Sequence, residues 1–176
     1  MSFHFPLMSV ELLLAAGLAG LLLPDLFGLG GKRRAGLAFT AMAAGLTLLA
    51  LLDSAEGVLL VGTYVSDGLA RFAKPVILLC AALTGLLSLG SLKGSGRFAG
   101  AYYALLAAAT LGLCLLVSSK ELITLYVGLE LATTSLYALT AFYKHDDLSA
   151  EAGLKYLVLG AASSAVLLYG LSLLYG

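Results

Sequence analysis

The chain has 176 residues, 61% hydrophobic and 11% charged, with a mean hydropathy of +1.03. A water-soluble domain cannot hide so much apolar side chain from solvent, so a soluble globular fold is excluded. Ten basic residues balance ten acidic ones, and no basic cluster exceeds Lys32-Arg33-Arg34, which argues against a nucleic-acid partner.

Several apolar runs reach the ~20 residues that a helix needs to cross a bilayer. They lack the period-two alternation of barrel strands. The expected fold is all-α, a polytopic transmembrane helical bundle forming one domain over residues 1–176. About six spans are placed near 8–28, 35–52, 72–92, 100–117, 120–143 and 152–175.

The first run is preceded by Met1 to Met8, which contain no Lys or Arg. The positive n-region of a signal peptide is therefore missing, and the run reads as a retained span. Glu11 near its outer end and Asp25 near its inner end are expected at the interfaces, with Pro24 close to its end. The long connection 53–71 contains Val58 to Val61 and Thr63-Tyr64-Val65, which suit a short surface hairpin or an irregular loop. Span three places Lys74 at the interface and Pro75 in the first turn, where proline is tolerated. Gly94-Ser95-Gly96 and Ser118-Ser119 separate spans three, four and five. Cys80 and Cys114 are expected to be small buried packing residues. Two cysteines cannot supply a zinc or iron–sulfur ligand set, and neither His4 nor His145 has a second histidine at ligand spacing.

Lys32, Arg33, Arg34, Lys93, Arg97 and Lys144 fall on one side of the bundle, and Arg71, Lys74 and Lys120 on the other. This bias places the first side in the cytoplasm and both chain ends outside. The acids Asp53, Glu56 and Asp67 then lie in the outer loop. Tyr102, Tyr103, Phe142 and Tyr143 form an aromatic belt at the inner interface, and Tyr175 at the outer one.

Glu130 sits near the middle of the apolar run 121–143. An ionised side chain at mid-bilayer depth costs roughly 2.5 to 3.5 kcal/mol on insertion scales. Tyr126, Thr133, Thr134 and Tyr137 lie three, four and seven positions away and share its helix face. Such a stripe belongs against other helices or water-filled space. Glu130 is therefore either an ion or proton site or a hydrogen-bonding group between helices. Lys155, early in span six, either snorkels to the headgroups or faces the bundle toward the acidic stripe. Glu151, one turn earlier, is its candidate salt-bridge partner. Gly153, Gly160, Ala161, Ser163 and Ser164 read as small residues for close helix packing. No nucleotide loop, haem histidine pair or nucleophile–base motif is present, so redox chemistry belongs to another polypeptide.

The stretch KELITLYVGLE (residues 120–130), continued by LATTSLYAL, resembles the fifth helix of the antiporter-like subunits of respiratory complex I. With EAGLKYLVLGAASS (residues 151–164), the run LLYG after it, the YYALL starting at Tyr102 and the VELL around Glu11, it looks most like the N-type members. The resemblance implies that Glu130 belongs to the proton-translocating machinery. It also implies a lysine partner on the next-but-one helix, and a supporting role for Lys155. Tyr126, Thr133, Thr134 and Tyr137 are then a possible polar path. No cofactor is expected in this chain; NADH, FMN, iron–sulfur clusters and quinone belong to partner subunits. The partners implied are other membrane-arm subunits and the lipid bilayer, and the location is the bacterial inner membrane. Family members have about fourteen helices in two inverted repeats. The chain is thus expected to be a fragment, a truncated frame or one piece of a split subunit. Other readings are a cation/proton antiporter or membrane-bound hydrogenase subunit, or a non-pumping assembly piece.

Overall fold

The structure, a computed structural model, describes residues 8–27, 31–52, 57–59, 62–92, 98–143 and 145–175. It consists of α1 (Ser9–Leu26), α2 (Lys32–Leu52), the strands β1 (Gly57–Leu59) and β2 (Tyr64–Ser66), and then α3 (Gly68–Ser91), α4 (Ala99–Val117), α5 (Leu122–Thr140) and α6 (Asp147–Tyr175). Each expected span is a helix. Five of them, α2 to α6, are long and apolar enough to cross a membrane. Of the residues singled out in the sequence, His4, Asp53, Glu56, Leu60, Val61, Lys93, Gly94 to Gly96, Arg97, Lys144 and Gly176 lie outside the described residues.

Helices α1 to α4 form the packed body. Toward one end, Leu21 of α1, Phe39 of α2, Ala81 of α3 and Tyr103 and Ala107 of α4 build a core. Toward the other end, Val10, Leu14, Leu46, Leu78 and Cys114 build a second. Helix α5 lies along α4, and α6 packs on α5. Glycine lets α4 and α5 touch through their backbones. A Cβ on Gly112 would come within 2.5 Å of the Ala132 amide nitrogen, and one on Gly128 within 2.8 Å of the Leu116 nitrogen. The buried positions of α5, Gly128, Ala132 and Ser135, are spaced four and three apart and form the face that meets α4. On α6, Gly153 is the one buried position among the described residues.

Side chains fix the helix ends. Asp67 caps α3 by accepting from the Ala70 amide at 2.9 Å, which satisfies a donor the helix start leaves unpaired. Helix α3 therefore begins about one turn before the expected boundary. Pro75 consequently sits in the helix interior rather than the first turn, and Lys74 lies about two turns in. Asp25 also departs from expectation. Its carboxylate reaches from α1 to accept from the Ala101 amide at 3.1 Å, capping the start of α4. Lys32 Nζ donates to the Leu92 carbonyl at the end of α3.

The connection between α2 and α3 forms the hairpin rather than the irregular loop. β1 and β2 pair antiparallel with Gly57 opposite Ser66, and Gly62, at φ +97°, takes a left-handed conformation that favours glycine. This hairpin is stitched to the α4–α5 junction. Val65 N donates to the Ser118 carbonyl at 2.8 Å, and Lys120 N to the Thr63 carbonyl at 2.9 Å.

Two further expectations are corrected. Cys114 is buried, but Cys80 is exposed on the outer face of α3. Tyr103 is not an interfacial belt residue, because its ring is fully buried against Phe39 and Tyr102. Tyr102 in turn contacts Phe142 edge to face at 5.2 Å, so these aromatics join α4 to the end of α5.

Candidate functional site

Glu130 lies on the side of α5 turned away from α4, because it falls between the positions of the Gly128–Ala132 face. The carboxylate is partly buried and meets α6, where the Ser164 hydroxyl donates to Oε1. Ser164 is therefore more than a packing residue, which the small-residue pattern of α6 concealed. The Tyr126 hydroxyl, one turn earlier on α5, interacts with the same carboxylate. Glu130 thus has a hydroxyl neighbour on each of two helices.

The rest of the expected stripe divides. Thr133 turns its hydroxyl back to its own helix, donating to the Leu129 carbonyl at 3.0 Å and reaching the Glu130 carbonyl at 3.3 Å. It serves the backbone, not the carboxylate. Thr134 is exposed. Tyr137 packs on the α5–α6 seam, its hydroxyl against Gly160 and its ring edge to face with Tyr156 at 4.7 Å. Gly153 accepts Ala141 in the same seam. Glu130 and Tyr137 of α5, and Ala141 just after its end, therefore oppose Ser164, Gly160 and Gly153 of α6, in antiparallel order.

Lys155 does not join this group. Its Nζ pairs with Glu151 one turn earlier, and both side chains are exposed. An exposed pair of this kind contributes little to stability.

A second polar cluster lies where sequence reading expected two interfacial charges. Glu11 of α1 and Lys74 of α3 are 4% and 6% exposed, and Lys74 Nζ lies 2.8 Å from Glu11 Oε1. Tyr64 of the hairpin, 1% exposed, donates its hydroxyl to the same Oε1 at 2.9 Å. It accepts from Lys74 Nζ at 2.7 Å. Burial, reinforced by the Glu11 charge, pushes the Tyr64 phenol well above its ordinary pKa, while the neighbouring Ser118 hydroxyl pulls the other way. The phenol stays protonated and donates. The available sequence signal was Asp67 followed by Gly68, a helix-start pattern that moves Lys74 from the first turn to the second.

Among the described residues, no three His, Cys, Asp or Glu side chains gather where a metal ion could be held. The chemistry within reach is proton and ion handling by carboxylate, ammonium and hydroxyl groups.

Fold and site together describe a polytopic helical membrane protein with a carboxylate set between two apolar helices. The family described as "NADH:quinone oxidoreductase/Mrp antiporter, TM" matches residues 119–176, which carry Glu130 and all of α6. Along almost its whole length the chain resembles subunit N of NADH-quinone oxidoreductase. It is 47% identical to that subunit from Moorella thermoacetica over 173 residues, covering 97% of this chain and 36% of the relative. It is 41% identical to the Desulfitobacterium hafniense subunit over 180 residues, covering 100% of this chain and 36% of the relative. Among solved structures it matches a chain of respiratory complex I from Thermus thermophilus determined with bound aureothin. That match has a TM-score of 0.79 and 31% identity, over 95% of this chain and 36% of the other. The chain spans about a third of the length of the relatives it matches.

Proposed function

We propose that this chain is part of a membrane-arm subunit of a proton-translocating NADH-quinone oxidoreductase, and that it takes part in proton translocation through Glu130. The observation that carries this reading is the Glu130–Ser164 contact: a carboxylate midway along an apolar helix, held by a hydroxyl of the next helix within the stretch matched by the antiporter-like family. A carboxylate in such surroundings is costly unless it handles charge or is paired. Its hydroxyl neighbours hold it in place without neutralising it. A cation approaching from another helix interacts with it far more strongly there than in water, so a change in that cation's position moves a proton. The resemblance supplies that cation as a lysine on the next-but-one helix. Lys155 has a supporting role at the membrane surface.

In this reading the partners are other membrane-arm subunits in the bacterial inner membrane, with both ends of this chain on the outer side. NADH, FMN, iron–sulfur clusters and quinone are handled by those partners, and quinone reduction there drives proton movement here. The test is Glu130→Gln in the assembled complex. NADH-driven acidification of everted membrane vesicles is expected to collapse while the complex remains present on native gels. Native-like acidification defeats the reading.

The family description also covers Mrp antiporters, so a cation/proton antiporter subunit is the second reading. Neighbouring genes separate the two: subunits L and M beside this gene favour complex I. A non-pumping assembly piece predicts instead that deletion abolishes assembly while Glu130→Gln pumps normally.

A further inference from the structure

We infer that Glu11, Lys74 and Tyr64 form a second proton-exchange site, distinct from Glu130, at the hairpin end of the bundle. The inference rests on the translocation reading above.

Position comes first. Glu11 is the third residue of α1, and Lys74 lies in the second turn of α3, roughly 10 Å along that helix. Both are nonetheless buried by protein, because the hairpin and α4 close over them. Cys114 of α4 lies in the same core layer, and Ser118, fully buried, lies beside Tyr64 at the α4–α5 junction.

The geometry suits transfer rather than anchorage. Nζ, the phenol oxygen and Oε1 are mutually 2.7 to 2.9 Å apart. A proton can pass from Lys74 to Glu11 directly. It can also pass through Tyr64, which accepts from Nζ while giving its own proton to Oε1. In either case ammonium and carboxylate become amine and carboxylic acid, and no other reactant is consumed. The second carboxylate oxygen, Oε2, is buried without a hydrogen-bond partner among the described residues. A pair built only to hold helices together would have that oxygen satisfied, since an orphaned buried acceptor is costly. Stability does not explain the pair either, because buried ion pairs are often no better than apolar residues of similar volume. Nor is the pair needed to fix α5, which the Gly112–Gly128 contact already seats on α4.

The test uses the complete complex in everted vesicles. Lys74→Arg keeps a cation beside Glu11 but does not release its proton. The double variant Glu11→Gln with Lys74→Met removes both charges together and leaves neither stranded, so it assembles even if arginine does not fit. With assembly checked on native gels, each assembled variant is expected to show NADH-driven acidification slower by at least about a hundredfold, the low end for losing a proton-transfer group. Native-like acidification in either assembled variant overturns the inference and leaves the pair as a structural tie. So does a requirement for the intact pair in assembly alone, with Lys74→Arg pumping normally. Glu130→Gln is measured alongside. Loss there with normal pumping in the Lys74 variants sinks this site alone, and the reverse pattern sinks the role of Glu130 alone.

Discussion

Gly112 of α4 and Gly128 of α5 meet backbone to backbone, with no room for a side chain on either. Glu130 is two residues from that contact and therefore points the opposite way, toward α6 and Ser164. The seating of α5 on α4 thus aims the carboxylate. Gly128→Ala places a methyl group against main-chain atoms that cannot rotate away. It is expected to destabilise the bundle by about 1 to 3 kcal/mol, the usual cost of overpacking. Thermal unfolding in detergent measures this, and Gly45→Ala, where a Cβ meets open space, is the control.

Ser164→Ala removes the hydroxyl that donates to Glu130 without altering the fit of α6. Hydrogen bonds to charged groups are worth about 1.5 to 3 kcal/mol. Acidification of vesicles is therefore expected to slow by about tenfold, and Ser164→Thr, which keeps the hydroxyl, to retain most of the rate.

Lys155→Ala breaks only an exposed ion pair with Glu151. Stability is expected to change by less than about 1 kcal/mol. Its effect on pumping should be smaller than that of Glu130→Gln measured in the same vesicles.

Asp25 caps α4 from a neighbouring helix. Asp25→Ala leaves the Ala101 amide without its acceptor and is expected to cost about 0.5 to 2 kcal/mol, with faster amide exchange in the first turn of α4. Asp25→Asn keeps an acceptor oxygen and is expected to restore most of the loss.

The Tyr64 phenol titrates above its ordinary value of 10.0 because it is buried beside Glu11. The sign follows from linkage. Folding favours the neutral phenol, so the stability it contributes is complete below about pH 10, where the unfolded phenol titrates, and is lost as pH rises above that. Denaturant unfolding at pH 9 and pH 11 is expected to show this alkaline loss in the native chain. Tyr64→Phe is expected to lack that component.

Hydrophobic run length alone determined that this chain is a bundle of helices joined by short polar connections, because bilayer thickness and the cost of unpaired backbone groups leave few alternatives. The same logic singled out Glu130, since a charge in the middle of an apolar run stands out without any knowledge of its neighbours. What the linear pattern did not reveal is which charges near helix ends face inward. Glu11, Lys74 and Asp25 look alike by distance from a span boundary. Yet the first two are buried together under Tyr64 and the third caps another helix. Likewise Ser164 reads as a small packing residue until α6 docks antiparallel on α5 and brings it to Glu130. Rotation of each helix about its axis, and the folding of the 57–66 hairpin over the bundle end, depend on contacts between residues far apart in the chain. Only the tertiary structure decides them.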